Sequence, residues 1–204
     1  VQTFPMDDIR GDMGNSLQTD ANGNLYVCGG FRVIANFRKQ ILRASLKGEN
    51  YFLARFNPKG SLEWVKRYAT ERTRERTGAF YVNDDGYAFL SLNREVWSVD
   101  PSGALRWKKA LKSPNKSKAV ATRIGGTKGD VYIAANAQDG TFFVTHLNRL
   151  DNQAVIWKGD NAIAELPIHP IVAGDQRGGI WIAGVSKGKD FPGAQFDLTS
   201  NSKG

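Results

Sequence analysis

Histidine and cysteine are nearly missing from this chain of 204 residues, which has two of the first and one of the second. A lone thiol makes no internal disulfide, and Cys28, inside the apolar run LYVCGGF, reads as a small packed side chain. Neither His146 nor His169 has a cysteine or second histidine at metal-ligand spacing, so no zinc site is expected. No run of about eighteen apolar residues occurs, which leaves no apolar stretch long enough for a membrane-spanning helix. The first residues, VQTFPMDDIRGDMG, lack the basic-then-apolar layout of a signal peptide. The G-x-S-x-G elbow, the Walker A loop and the dinucleotide fingerprint are all missing. DANGN and NDDG have the acidic look of calcium loops, yet lack the full D-x-(D/N)-x-(D/N)-G with a downstream glutamate, and are read as turns. These absences assign no catalytic residue, no metal and no cofactor, and the chain is expected not to be an enzyme.

What is there is ordinary in bulk and uneven in charge. A content of 41% hydrophobic and 24% charged residues suits a globular chain that buries a core. The net charge of +8 lies entirely in residues 1–118, with 20 Lys and Arg against 12 Asp and Glu, whereas residues 119–204 balance at 8 and 8. Its densest piece is ALRWKKALKSPNKSK, residues 104–118, where Arg106, Lys108, Lys109 and Lys112 meet no acid. Two uses fit such a strip: a surface for an anionic partner, or a strand edge guarded by lysines against pairing with other sheets. The second is preferred. ERTRERTG carries a second basic group, Arg72, Arg74 and Arg76, in a connection where binding residues often sit, although its alternating glutamates compensate the charge.

The strongest pattern is a repeat. A polar turn closed by glycine recurs as DANG (20–23), NDDG (83–86), GTKG (126–129) and DQRG (175–178), each followed by an apolar strand: LYV, AFL, VYI and IWI. Tyr26, Phe89, Tyr132 and Trp181 fall in register. A second hairpin follows in three units, and FNPKGSLEW, ending at Trp64, is echoed by VDPSGALRW, ending at Trp107. Glycine supplies the positive φ that such turns need. His146 occupies the place of Arg55 and Ser98 in the other units, an alternating strand position that accepts unlike residues. Four short strands in each unit of about 43 to 63 residues predict an all-β fold, a β-propeller of four-stranded antiparallel blades. About four blades are visible, at 15–70, 77–113, 117–160 and 163–204, the last incomplete, with 1–14 as an outer strand of a preceding or closing blade. The tryptophans of the fourth strands are expected to fill space between blades.

NSLQTDANGNLYVCGGF followed by NYFLARFNPKGSLEWVKRY resembles the SBBP repeat, a bacterial propeller repeat, and DDGYAFLSLNREVWSVDPSGALRWKKAL is closer to the PQQ-type propeller repeat. The resemblance places an extended blade insertion at residues 32–49, a stretch otherwise open to a reading as a basic helix. It implies a single propeller domain over 1–204, or a fragment of a larger propeller. It further implies a non-catalytic scaffold or protein-interaction module, built into a bacterial extracytoplasmic, cell-surface or secreted assembly with other protein subunits as partners. Two alternatives stand beside this. One is a propeller enzyme or ligand sensor whose site lies over the central channel in blades not present here. The other is a binder of an anionic polysaccharide or lipid surface through the basic strip, with nucleic acid the least favoured polymer and no transmembrane segment expected.

Overall fold

The computed structural model describes residues 13–37, 40–45, 49–70, 79–92, 94–113, 115–127, 130–138, 142–147, 153–159, 171–174 and 180–183. Among these there is no helix, and every regular element is an antiparallel strand. The chain divides into two compact units, residues 1–109 and 110–204.

The first unit begins with β1 (Met13–Thr19), β2 (Leu25–Phe31), β3 (Ile34–Phe37), β4 (Gln40–Arg43), β5 (Asn50–Phe56) and β6 (Leu62–Ala69). β1, β2, β5 and β6 make one four-stranded sheet in that order, and β3 and β4 form a separate hairpin inserted between β2 and β5. Within 32–49, Ile34–Phe37 and Gln40–Arg43 are thus strands rather than helix. A second sheet, β7 (Phe80–Val82), β8 (Ala88–Leu92), β9 (Glu95–Val99) and β10 (Leu105–Ala110), pairs each strand with its neighbour in sequence.

One turn design closes four of these hairpins. In each, the first residue accepts from the residue three on and donates to the residue four on: Asp20 with Gly23 and Asn24, Asn57 with Gly60 and Ser61, Asn83 with Gly86 and Tyr87, Asp100 with Gly103 and Ala104. The side-chain oxygen of the same first residue takes a further amide: Asp20 Oδ1 from Asn24, Asn57 Oδ1 from Ser61, Asn83 Oδ1 from Tyr87, Asp100 Oδ1 from Ala104. The four glycines have φ between 76° and 81°, the left-handed region that a side chain resists. These turns explain both the recurrence of Asx-x-x-Gly and the echo between FNPKGSLEW and VDPSGALRW.

Alternation then sorts side chains to two faces of the first sheet. Tyr26, Cys28, Tyr51, Leu53 and Tyr68 pack with Phe80, Val82, Ala88, Leu90, Leu92, Trp97 and Val99 of the second sheet, and Trp64 lies against this cluster. Phe52, Ala54, Phe56 and Val65, on the opposite face, pack with Phe31 and with Ala35 and Phe37 of the hairpin. Each fully buried side chain of Leu or Phe size contributes about 1.5–3 kcal/mol, so both faces are apolar cores in their own right. Gln18 joins the first strands of the two sheets, its Nε2 donating to the Phe80 carbonyl at 3.2 Å and its Oε1 accepting from the Val82 amide at 2.7 Å.

In the second unit β11 (Ala119–Thr127), β12 (Asp130–Ala137), β13 (Phe142–Leu147) and β14 (Gln153–Gly159) form a third four-stranded sheet in sequence order. Gly126 pairs with Val131 and Thr127 with Asp130, so β11 runs into the GTKG stretch. β15 (Ile171–Gly174) pairs with β16 (Ile180–Ala183), and β15 lies beside β11 and β12.

Candidate functional site

Three cross-strand pairs occupy the same repeat position: Tyr26 opposite Arg55, Phe89 opposite Ser98 and Tyr132 opposite His146. The first is the most developed. The Arg55 guanidinium lies 3.2 Å from Glu63 and 4.0 Å from the Asp20 carboxylate, whose side chain is 2% exposed. It also stands 5.7 Å from the Tyr26 ring centre and donates to the Pro101 carbonyl at 3.4 Å. Trp64 Nε1 donates to that same carbonyl at 3.0 Å, and the Tyr68 hydroxyl donates to the Gly103 carbonyl at 2.9 Å. Arg55, Trp64 and Tyr68 therefore clamp the Asp100–Ala104 turn of the second sheet onto the first. Burial pushes the Tyr26 phenol up to about 12, with Arg55 opposing and Asp20 adding to the rise. The Arg55 Nε is buried without a hydrogen-bond partner. The cluster is built for cohesion between sheets: every charge in it touches a turn, a strand or its counter-ion.

His146 is satisfied in the way its strand position suggests. Its ring stacks on Tyr132 with centres 4.9 Å apart, and Nε2 lies 2.8 Å from Asp130 Oδ1. Cys28 is 1% exposed, and burial raises its thiol to about 12, so it is an inert packing residue at neutral pH. Among the described residues no group of His, Cys, Asp and Glu is arranged to hold a metal ion. The DANGN loop uses its Asp20 carboxylate on the amides of Asn22 and Asn24 and on Asn24 Nδ2, as a turn and not as a ligand set.

The basic strip is placed at a sheet edge. β10 is the outermost strand of its sheet, and β6, with exposed Lys66 and Arg67, is the outermost of the other. Arg106 lies 5.1 Å from the Tyr87 ring centre and Lys108 Nζ lies 4.5 Å from that of Trp97. On the other side of the strand from these two, Lys109 is half-buried and Trp107 packs at 6.1 Å from Phe89. Lys112 belongs to the second unit, where it bridges to Lys118. Arg106 and Lys108 thus share one side of β10, Lys109 of the same strand lies on its other side, and Lys112 is not part of the strand. Arg72, Arg74 and Arg76, like His169, lie outside the described residues.

Sequence reasoning missed the Asp20, Arg55 and Glu63 cluster and a fifth copy of the turn. Ser113 accepts from the Lys116 amide and donates to Ser117, and its hydroxyl takes the Ser117 amide, with Lys116 at φ 64° where the other copies have glycine. The Ser-Pro of SPNKS, matching the Asn-Pro and Asp-Pro of the two echoes, was the signal that could have found it.

No family model matches the chain, and no curated protein matches it. Among solved structures, a protein of unknown function from Bacteroides caccae is 18% identical over 85% of this chain and 71% of its own, with a TM-score of 0.43. A GH43 glycoside hydrolase, engineered to show both endo-xylanase and exo-arabinofuranosidase activity, is 11% identical with a TM-score of 0.46. The match covers 83% of this chain, which spans about a third of that enzyme, 34%.

Proposed function

We propose that the chain is a run of β-propeller blades of the SBBP type serving as a non-catalytic scaffold or protein-interaction module in a bacterial extracytoplasmic assembly. The observation that carries this reading is the use made of the polar residues at the repeat positions. Asp20, Asn57, Asn83 and Asp100 close turns, Arg55 and Trp64 tie one sheet to the next, and His146 is held by Asp130 and Tyr132. Four-stranded antiparallel sheets that repeat along the chain, and that stack face to face in the first unit, are the architecture such a scaffold needs. The binding surface then falls to the long connections between strands of the first unit, 32–49 and 70–79.

Binding of an anionic polymer through the strip is less well supported. Arg106 and Lys108 are laid on Tyr87 and Trp97, a use that holds the edge strand to its own sheet at about 0.5–1 kcal/mol each. The test is crosslinking of the full chain in a bacterial cell-envelope preparation, comparing wild type with a variant carrying Arg72→Ser, Arg74→Ser and Arg76→Ser. A discrete protein adduct that weakens in the variant supports the module. A protein that stays monomeric and uncrosslinked, while binding polyphosphate with a steep salt dependence lost in Lys108→Gln/Lys109→Gln, would replace it with the polymer reading.

A further inference from the structure

The four glycine-closed turns carry different residues before the glycine: Asn22, Lys59, Asp85 and Ser102. Asn22–Gly23 is the one Asn-Gly pair in the chain. Such a pair is chemically weak, because the amide nitrogen of the second residue can attack the side-chain carbonyl carbon of the first, and glycine, having no Cβ, shields that nitrogen least. Whether it reacts in the folded chain depends on exposure, on room, and on what must open first. Asn22 and Gly23 are both exposed, and a methyl carbon added at Gly23 would meet nothing nearer than Pro58 Cγ at 3.6 Å. The Gly23 amide is engaged in the turn by the Asp20 carbonyl at 3.1 Å, a surface bond that local opening releases. Asp85–Gly86 occupies the same place in the matching turn and differs in each respect but the exposure of its first residue. Gly86 is buried, its amide donates to the Asn83 carbonyl at 2.9 Å, and an added carbon would stand 2.7 Å from the Tyr26 hydroxyl. Cyclisation there requires the joint between the sheets to part.

The turn at Asn22 holds more than itself. Asp20 Oδ1 takes the amides of Asn22 and Asn24 at 2.9 Å each, and Oδ2 takes Asn24 Nδ2 at 2.8 Å. The same carboxylate stands 4.0 Å from Arg55, and the Ala21 amide donates to the Asp84 carbonyl in the matching turn of the second sheet at 3.3 Å. In the reaction the Gly23 nitrogen gives up its proton and bonds to Cγ of Asn22, the Cγ–Nδ2 bond breaks, and ammonia leaves. Water then opens the cyclic imide at either carbonyl, giving aspartate or, with the main chain rerouted through Cβ and Cγ, isoaspartate. The net change is water in and ammonia out, with no oxidation or reduction. Isoaspartate lengthens the main chain inside the turn by one carbon and sets a new carboxylate close to Asp20. The amides that Asp20 gathers then no longer fall in place together.

We propose that Asn22 is a site of spontaneous deamidation in the folded protein, and that its conversion to isoaspartate loosens the Asp20 turn and with it the joint between the first two sheets. The full chain is held in mildly alkaline buffer with and without denaturant, and samples taken over time are digested. Peptide mass and methyl transfer by an isoaspartyl methyltransferase then locate the product. Isoaspartate at position 22 should accumulate in the folded chain at about a tenth of its rate in denaturant, since only a surface turn must open. Isomerisation at Asp85 should slow by on the order of a hundredfold or more against its own denatured rate. An amide at 22 that survives in the folded chain while the denatured chain converts overturns the site. Equal slowing at 22 and 85 overturns the geometric argument for it. The second readout is a denaturant melt of aged wild type beside aged Asn22→Gln, a variant that keeps the main-chain amide Asp20 uses. Aged wild type should show a less stable population that the variant lacks. Identical melts with isoaspartate present would overturn the link between the turn and the joint.

Discussion

Asp100–Ala104 and Ser113–Ser117 are the same turn built from different residues. Both close with the first residue accepting from the fourth and donating to the fifth. Both place the fourth residue in the left-handed region, Gly103 at φ 79° and Lys116 at φ 64°. In the first, glycine is needed twice over, for its φ and because a methyl carbon there would lie 3.0 Å from Lys66 Cδ and 3.1 Å from Trp64. In the second, an exposed lysine carries the strained backbone by itself. The difference teaches that the hydrogen-bond scheme defines the turn, while the glycine records either a backbone preference or a close neighbour, and substitution can tell which.

Gly86 should give the largest effect. A methyl carbon at this position would sit 2.7 Å from the Tyr26 hydroxyl and 3.2 Å from Asp20 Oδ2, on top of the cost of φ +81°. Both obstacles belong to the buried cluster that joins the two sheets, so little can yield. Gly86→Ala should lower the unfolding free energy by about 3 kcal/mol, read as a shifted denaturant midpoint. A loss under about 1 kcal/mol would mean that Tyr26 moves aside and that the cluster is not tight. At Gly23 the nearest atom to an added methyl carbon is Pro58 Cγ at 3.6 Å, ordinary contact, so only the φ of +76° is at stake. Gly23→Ala should therefore cost about 1 kcal/mol, and equal losses at 23 and 86 would show that backbone strain alone decides both.

The reverse exchange is expected to stabilise. Lys116→Gly relieves a left-handed side chain but adds freedom to the unfolded chain, leaving a net gain of about 0.5 kcal/mol. A loss instead would show that the lysine side chain does something the turn needs.

These same turns mark how far the sequence could be read. Asx-x-x-Gly is legible because its causes are local: the side-chain oxygen, the two amides it takes and the φ of the glycine all lie within five residues. SPNKS escaped because a lysine stands in the glycine place, although Ser113 does what Asn57 does. The edge position of β10 was legible from its lysines. That Arg106 and Lys108 lie over Tyr87 and Trp97 was not, since each ring stands on another part of the sheet. The Asp20 and Arg55 contact is 35 positions long and crosses strands. The covering of Phe52 and Val65 by the hairpin depends on which way residues 32–49 fold back, and alternation says only that this face must be buried by something.

Asp100→Asn is the smallest and most discriminating of these changes, because Asn57 and Asn83 already do the same work as amides. The Ser102 hydroxyl holds the Asp100 carboxyl below the usual carboxylate range; slight burial opposes this, and the amides of Ala104 and Ser102 and the charge of Lys66 add to it. A carboxyl lowered in the folded state contributes stability above its unfolded value, and that contribution is lost as pH falls through the lowered folded value. The amide has no such dependence. Wild type should exceed Asp100→Asn by roughly a few tenths of a kcal/mol near neutral pH, the surface position letting water screen the rest. The gap should close on acidification below the carboxylate range. A gap that stays constant between neutral pH and strong acid would show that the charge adds nothing and that the aspartate acts, as the asparagines do, only through its oxygen.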